Sequence, residues 1–264
     1  MTLIAGSVAL TLLAFSEDNA NLRHSADLEE ADWQAERVLS IVQEEGIPPA
    51  GAVTLLRKDH ENRGRNLFAA HCASCHRYNG HDGRGYPVDD AQSAPELAGF
   101  ASVEWISKLL NHEHYISEEY FGGTKFKNGT MARKVLAKYT AEETALLPRI
   151  ATLLSDMAQL PYQTPLSEDE REELLALFYN DDLVFQDGLA CIDCHDIDSE
   201  DEGHAPDLTG YGSDEWTIAF LENPEDERFY GDENDRMPCY GRDGKLTDEE
   251  IKIISDWIRS RPSE

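Results

Sequence analysis

Two cysteine pairs, each followed at once by a histidine, are the residues of this chain best suited to chemistry: Cys72-Ala73-Ser74-Cys75-His76 and Cys191-Ile192-Asp193-Cys194-His195. Thiols at this spacing reach the two vinyl groups of one haem, and the histidine that follows meets the iron. Zinc ribbons separate their two pairs by roughly 15–20 residues, a far shorter gap than the one between Cys75 and Cys191. A redox dithiol needs one pair in a βαβ setting and gives no reason for histidine after both. The pattern predicts two covalently attached c-type haems, with Cys72, Cys75, Cys191 and Cys194 as attachment points and His76 and His195 as iron ligands. Cys239 is left without a partner.

These motifs sit in a repeat. The run Ala94-Pro95-Glu96-Leu97-Ala98-Gly99-Phe100-Ala101-Ser102-Val103-Glu104-Trp105 lies over Ala205-Pro206-Asp207-Leu208-Thr209-Gly210-Tyr211-Gly212-Ser213-Asp214-Glu215-Trp216 at one constant offset. Further on, Thr140-Ala141-Glu142-Glu143 matches Thr247-Asp248-Glu249-Glu250, each a Thr-x-x-Glu cap that opens a helix. Self-similarity of this kind means that one structural unit was used twice. The predicted organisation is an apolar segment over 1–16, a helical spacer over 17–60, a first domain over 61–160, a linker over 161–165 and a second domain over 166–264. In the spacer, Asp27 and Glu30 form a capping-box pattern, Ala31, Ala35, Val38 and Val42 recur at helical spacing, and Gly46-Ile47-Pro48-Pro49 stops the run.

The order within each unit (helix, haem motif, Ala-Pro-acid-Leu loop, Trp-bearing helix, methionine, final helix) resembles the class I cytochrome c family over roughly the last three quarters of the chain. The resemblance implies an all-α fold: two tandem class I cytochrome c-like domains, preceded by an N-terminal apolar (membrane) helix and a helical spacer. It also implies that a downstream methionine is the second axial ligand, pairing His76 with Met131 and His195 with Met237. Met157 shares a helix face with Leu153 and Leu154 and reads as core filler, while His112 and His114 remain alternatives to Met131. In the family a proline carbonyl accepts a hydrogen bond from the far ring nitrogen of the ligating histidine, which assigns that role to Pro95 and Pro206. Trp105 and Trp216 read as core residues. The glycine-rich run Asn79–Gly85 lacks the strand and lysine of a phosphate loop.

Residues Thr2–Phe15 carry no charge and stop at Glu17-Asp18. They are shorter than the ~20 apolar residues of a full span and lack the basic start of a signal peptide. They read best as the outer end of a membrane helix, with a degenerate signal peptide second and a buried helix third. Either of the first two puts the haem units on the outer, periplasmic side of a bacterial cytoplasmic membrane. The chain has 52 acidic residues against 23 Lys and Arg, a formal charge of −29. Residues 1–160 hold 22 acidic and 15 basic side chains (net −7), and 161–264 hold 30 and 8 (net −22). Such a field excludes nucleic acid as a partner and steers a basic protein partner, although it serves solubility equally well.

Together with Gly46-Ile47-Pro48-Pro49-Ala50-Gly51-Ala52, the arrangement resembles the dihaem cytochrome c portion associated with bacterial cytochrome b-type quinol oxidoreductases. The resemblance implies a membrane-tethered electron carrier. It takes single electrons from a quinol-oxidising, cytochrome b-like membrane subunit and delivers them to a soluble, basic acceptor. The competing reading is a dihaem peroxidase, which needs one open iron.

Overall fold

Every regular element among the described residues is helical, as the resemblance implied. The computed structural model describes residues 2–88, 90–180, 184–185, 190–198 and 205–261; Met1 and His204 lie outside them. The chain forms two compact units, residues 1–90 and 91–264. The predicted linker 161–165 therefore falls inside the second unit. The reason is that this stretch is pinned to the helix before it: the Leu166 N–H donates to Asp156 Oδ1 at 2.8 Å and Gln163 Nε2 to Ser155 Oγ at 2.6 Å.

In the first unit, α1 (Thr2–Ala20) exposes Ile4, Val8, Leu10, Leu12, Leu13 and Phe15, so it is not a buried core helix. No helix of the described residues is long and apolar enough to cross a membrane, so the expected membrane helix is not found among them; the last turns of α1 carry Glu17 and Asp18. Next comes α2 (Leu22–Glu45), which starts earlier than Asp27 because the Asn21 side chain accepts from the N–H groups of Arg23 and His24. It stops at Gly46, whose φ of 78° with ψ of −179° is open to glycine and costly for other residues.

The buried face of α2 also differs from the apolar stripe read in the sequence. Ala31 and Ala35 are exposed, and Ala26, Glu30 and Ile41 are buried. Past a short α3 (Val53–Lys58), polar partners on α4 (His60–His71) turn the helix. Arg65 Nη2 donates to Glu30 Oε2 at 2.8 Å and its guanidinium lies 3.7 Å from the Trp33 ring centroid. One step outward, Arg37 Nε donates to Asp59 Oδ2 at 3.0 Å, and Asp59 caps α4 through the Asn62 N–H.

Burial of Asp59 raises its pKa, but the bonds from Arg37 and Asn62 outweigh it and the net direction is down. A lowered folded pKa adds stability that is complete above the unfolded value of about 3.9 and is lost as pH falls through the folded value. Denaturant midpoints measured across pH 2–6 should therefore drop more steeply below about pH 4 in the native protein than in Asp59→Asn. Parallel curves would show that Asp59 carries no acid sensitivity.

In the second unit, α5 (Val103–Leu109), α6 (His112–Tyr115), a 3-10 turn (Lys125–Asn128) and a π-helical turn (Met131–Leu136) complete the first repeat's haem loop. Thr140 closes a capping box with Glu143, as predicted, but α7 (Ala141–Thr144) is brief; Pro148, with no N–H, opens a separate α8 (Leu147–Met157). Ser167 caps α9 (Glu168–Tyr179), Ser213 caps α10 (Asp214–Glu222), and the Thr247 capping box opens α11 (Asp248–Ile258). The packed pairs are α5 with α8 and α10 with α11, and α8 also meets α9.

The two repeats meet within this unit. Phe100 and Tyr211, which occupy equivalent places in the repeat, contact each other with ring centroids 6.0 Å apart. The buried Arg259 donates from Nε to Gly212 O at 2.9 Å and from Nη2 to Ala158 O at 3.0 Å.

Candidate haem centres

Both motifs fold into the same tight turn. The His76 N–H donates to Cys72 O at 2.9 Å, and the His195 N–H to Cys191 O at 2.9 Å. The N–H of the second cysteine turns back to the first as well, Cys75 to Cys72 at 3.0 Å and Cys194 to Cys191 at 3.2 Å. The turn thus brings two thiols and an imidazole to one place, twice. Local sequence dictates it: Cys72 ends α4, and Asp193 closes the second turn by accepting the Ala190 N–H at 2.7 Å.

His195 supplies the test of whether haem fits. Its Nδ1 lies 2.8 Å from the carbonyl oxygen of Pro206. A carbonyl only accepts, so Nδ1 carries the proton and Nε2 presents its lone pair. Burial lowers the pKa of this histidine, and the Pro206 bond works against that more weakly. Burial thus favours the uncharged ring, and a backbone oxygen fixes its tautomer and direction, as an iron ligand requires. Beside it, burial pushes the Cys191 thiol up to about 12 and also raises Cys194. In the first motif burial, followed by repulsion from Cys75, takes Cys72 to about 12. These residues fit a covalently held haem. His76 lies in the first compact unit, whereas Pro95 and Met131 lie in the second.

The methionines differ. Met237 stands half-buried in an extended loop with its carbonyl held by Asn234 Nδ2 at 2.8 Å. Met131 is not in a loop, as the sequence suggested, but opens the π-helical turn, because Thr130 already has helical backbone angles. Met157 is buried on α8. Of the alternatives to Met131, His114 is exposed and His112 half-buried, both on α6.

Trp105 and Trp216 are core residues. Trp105 Nε1 donates to Glu96 O at 2.7 Å, and Trp216 Nε1 to Asp207 O at 3.2 Å. Each indole therefore braces the loop that follows the Ala-Pro pair, and Glu96 and Asp207 are residues whose role the sequence did not reveal. Tyr139 was missed too: its ring packs at a tilt against Phe185 with centroids 5.3 Å apart, and burial first, then the nearby Cys191 thiol, raise its pKa. Its repeat counterpart, Leu246, hinted only at an apolar position. The glycine-rich loop satisfies itself, with His81 Nδ1 accepting from the N–H groups of Gly83 at 3.0 Å and Gly85 at 3.2 Å.

Comparison with curated proteins and with solved structures returned no match. The family model for cytochrome c matches two segments, residues 61–147 and 182–262, each holding one of the Cys-x-x-Cys-His motifs. The chain belongs to the cytochrome c family, whose members transfer electrons through haem.

Proposed function

We propose that this protein is a dihaem electron carrier with closed irons, His76 and Met131 at one and His195 and Met237 at the other. The observation that carries this reading is the half-buried His195 with its Nδ1–H on Pro206 O, in a Cys-x-x-Cys-His turn that recurs at 72–76. A bound haem supplies a one-electron ferric/ferrous couple. Pro206 O fixes the direction of the His195 ring, and Met131 and Met237 would supply the thioethers, a pairing with imidazole that would raise the potential. Pro95 plays the part of Pro206 in the first centre.

Two features support a membrane setting on the periplasmic side: the uncharged, outward-facing stretch of α1 as an N-terminal anchor, and covalent haem itself. The donor is a quinol-oxidising, cytochrome b-like membrane subunit, a reading supported by the resemblance noted for Gly46–Ala52. The acceptor is a soluble basic protein, for which the net charge of −22 over residues 161–264 provides the attraction.

Optical spectroscopy of the holoprotein tests the closed irons. The oxidised protein should show a methionine-to-iron charge-transfer band that falls by about half in Met131→Ala and again in Met237→Ala, and the reduced protein should not bind carbon monoxide. A five-coordinate haem in the native protein that reacts rapidly with peroxide would sink the carrier reading in favour of a peroxidase.

A further inference from the structure

The loop that carries Met237 is tied to the other repeat. Arg236, the residue just before it, has a φ of 78°, a left-handed conformation costly for a residue with a side chain. Its guanidinium reaches out of its own repeat and donates from Nη2 to the carbonyl of Gly123 at 3.1 Å and to Asp235 Oδ2 at 3.2 Å. Asp235 in turn accepts the backbone N–H of Lys125 at 3.0 Å, and Lys125 Nζ donates to Glu233 Oε2 at 2.7 Å. Below these polar contacts Phe126 packs on Tyr230 with centroids 5.1 Å apart. Residues 123–126 of the first repeat thus meet residues 230–236 of the second at four points.

The first-repeat side of this contact is stiff. A Cβ on Gly123 would lie 2.5 Å from Gln92 O and 2.9 Å from Ser93 Cα, so that backbone is packed directly on backbone. Thr124 Oγ1 then accepts the Phe126 N–H at 3.1 Å, fixing the turn that presents the Lys125 N–H. A strained residue persists only where its surroundings over-determine it, and here the surroundings are the other repeat. Nothing matches this in the run before Met131, Asn128-Gly129-Thr130, which has neither an acid nor an arginine.

We propose that Gly123–Phe126 of the first repeat is the positioning element for Met237, so that the distal coordination of the second haem depends on the first repeat. This rests on the reading of Met237 as an axial ligand. Residues 123–126 act on the Met237 loop through Tyr230, Glu233, Asp235 and Arg236. Free of that hold, the Arg236 backbone relaxes toward an ordinary φ and carries the next residue, Met237, away from where the loop now holds it.

The test uses the full holoprotein and reads each iron by its methionine-to-iron band, by carbon monoxide bound per chain and by midpoint potential. Arg236→Gly keeps the left-handed backbone accessible and deletes the guanidinium; Lys125→Ala/Phe126→Ala acts from far along the chain and leaves the Met237 loop sequence intact. Both should lose up to half of the band, raise carbon monoxide binding from none toward one per chain, and lower one potential only, while Arg236→Lys retains most of the band. Full band and unchanged potentials in both variants would overturn the proposal, as would equal losses at the two irons. Met237→Ala separates the two layers: if it leaves the native band untouched, the ligand reading fails whatever residues 123–126 do. If it halves the band and the other variants do not, only the positioning role fails.

Discussion

Cys191→Ser/Cys194→Ser should leave a chain that keeps one haem, not two, through denaturation in acid. Serine is close to cysteine in size, and Cys191 and Cys194 carry few other tasks: their backbone groups make the turn, and His195 keeps its bond to Pro206 O. The substitution therefore removes the covalent link while leaving the imidazole in place. His195 alone can hold haem under native conditions, so the decisive measurement is the mass of the denatured chain. A native chain carrying two haems and a variant carrying one would establish both the count and the assignment; a native chain carrying one, or a variant still carrying two, would refute it.

The thiols bear on how such a protein is loaded. Burial pushes the Cys72 and Cys191 thiols up to about 12, so little of either is thiolate, the reactive form, at neutral pH. Apoprotein folded first and then given haem should therefore acquire thioethers very slowly.

Local features were legible in the sequence, and contacts between distant segments were not. The Cys-x-x-Cys-His turns, the capping boxes at Thr140 and Thr247 and the stop at Gly46 are each decided within a few residues, and each formed where the sequence placed it. The bond from His195 to Pro206 spans eleven positions and was reached only through family resemblance. What escaped reading depends on partners far along the chain. The face of α2 is set by Arg65 and Asp59 rather than by its own alanines, and the hold on Met237 joins Lys125 to Asp235 across 110 positions. A stripe of alanines buries too little apolar surface to overrule a paired, partly buried charge. The repeat announced two equivalent units, yet Phe100 and Tyr211 pack on each other, so equivalence in sequence became a contact in space.

That contact sets the largest stability effect expected, at Gly212. Its φ is 71°, and a Cβ there would lie 2.5 Å from Ala101 Cβ and 3.1 Å from Ala158 Cβ, neither of which can swing aside. Its carbonyl also takes the Arg259 bond, so the segment cannot simply shift away. Gly212→Ala combines overpacking of about 1–3 kcal/mol with a left-handed backbone cost of about 1–2 kcal/mol. For a chain of this size that corresponds to a melting temperature lower by roughly 10 °C. Gly244→Ala is the matched control: its φ is 64° but nothing lies within 4 Å of the added atom, so it bears the backbone cost alone. If the two variants melt together, the space between Ala101, Ala158 and Gly212 is looser than these distances say. If Gly212→Ala alone falls sharply and also weakens the methionine-to-iron band of one haem, separating the repeats disturbs the centre that residues 123–126 are proposed to hold.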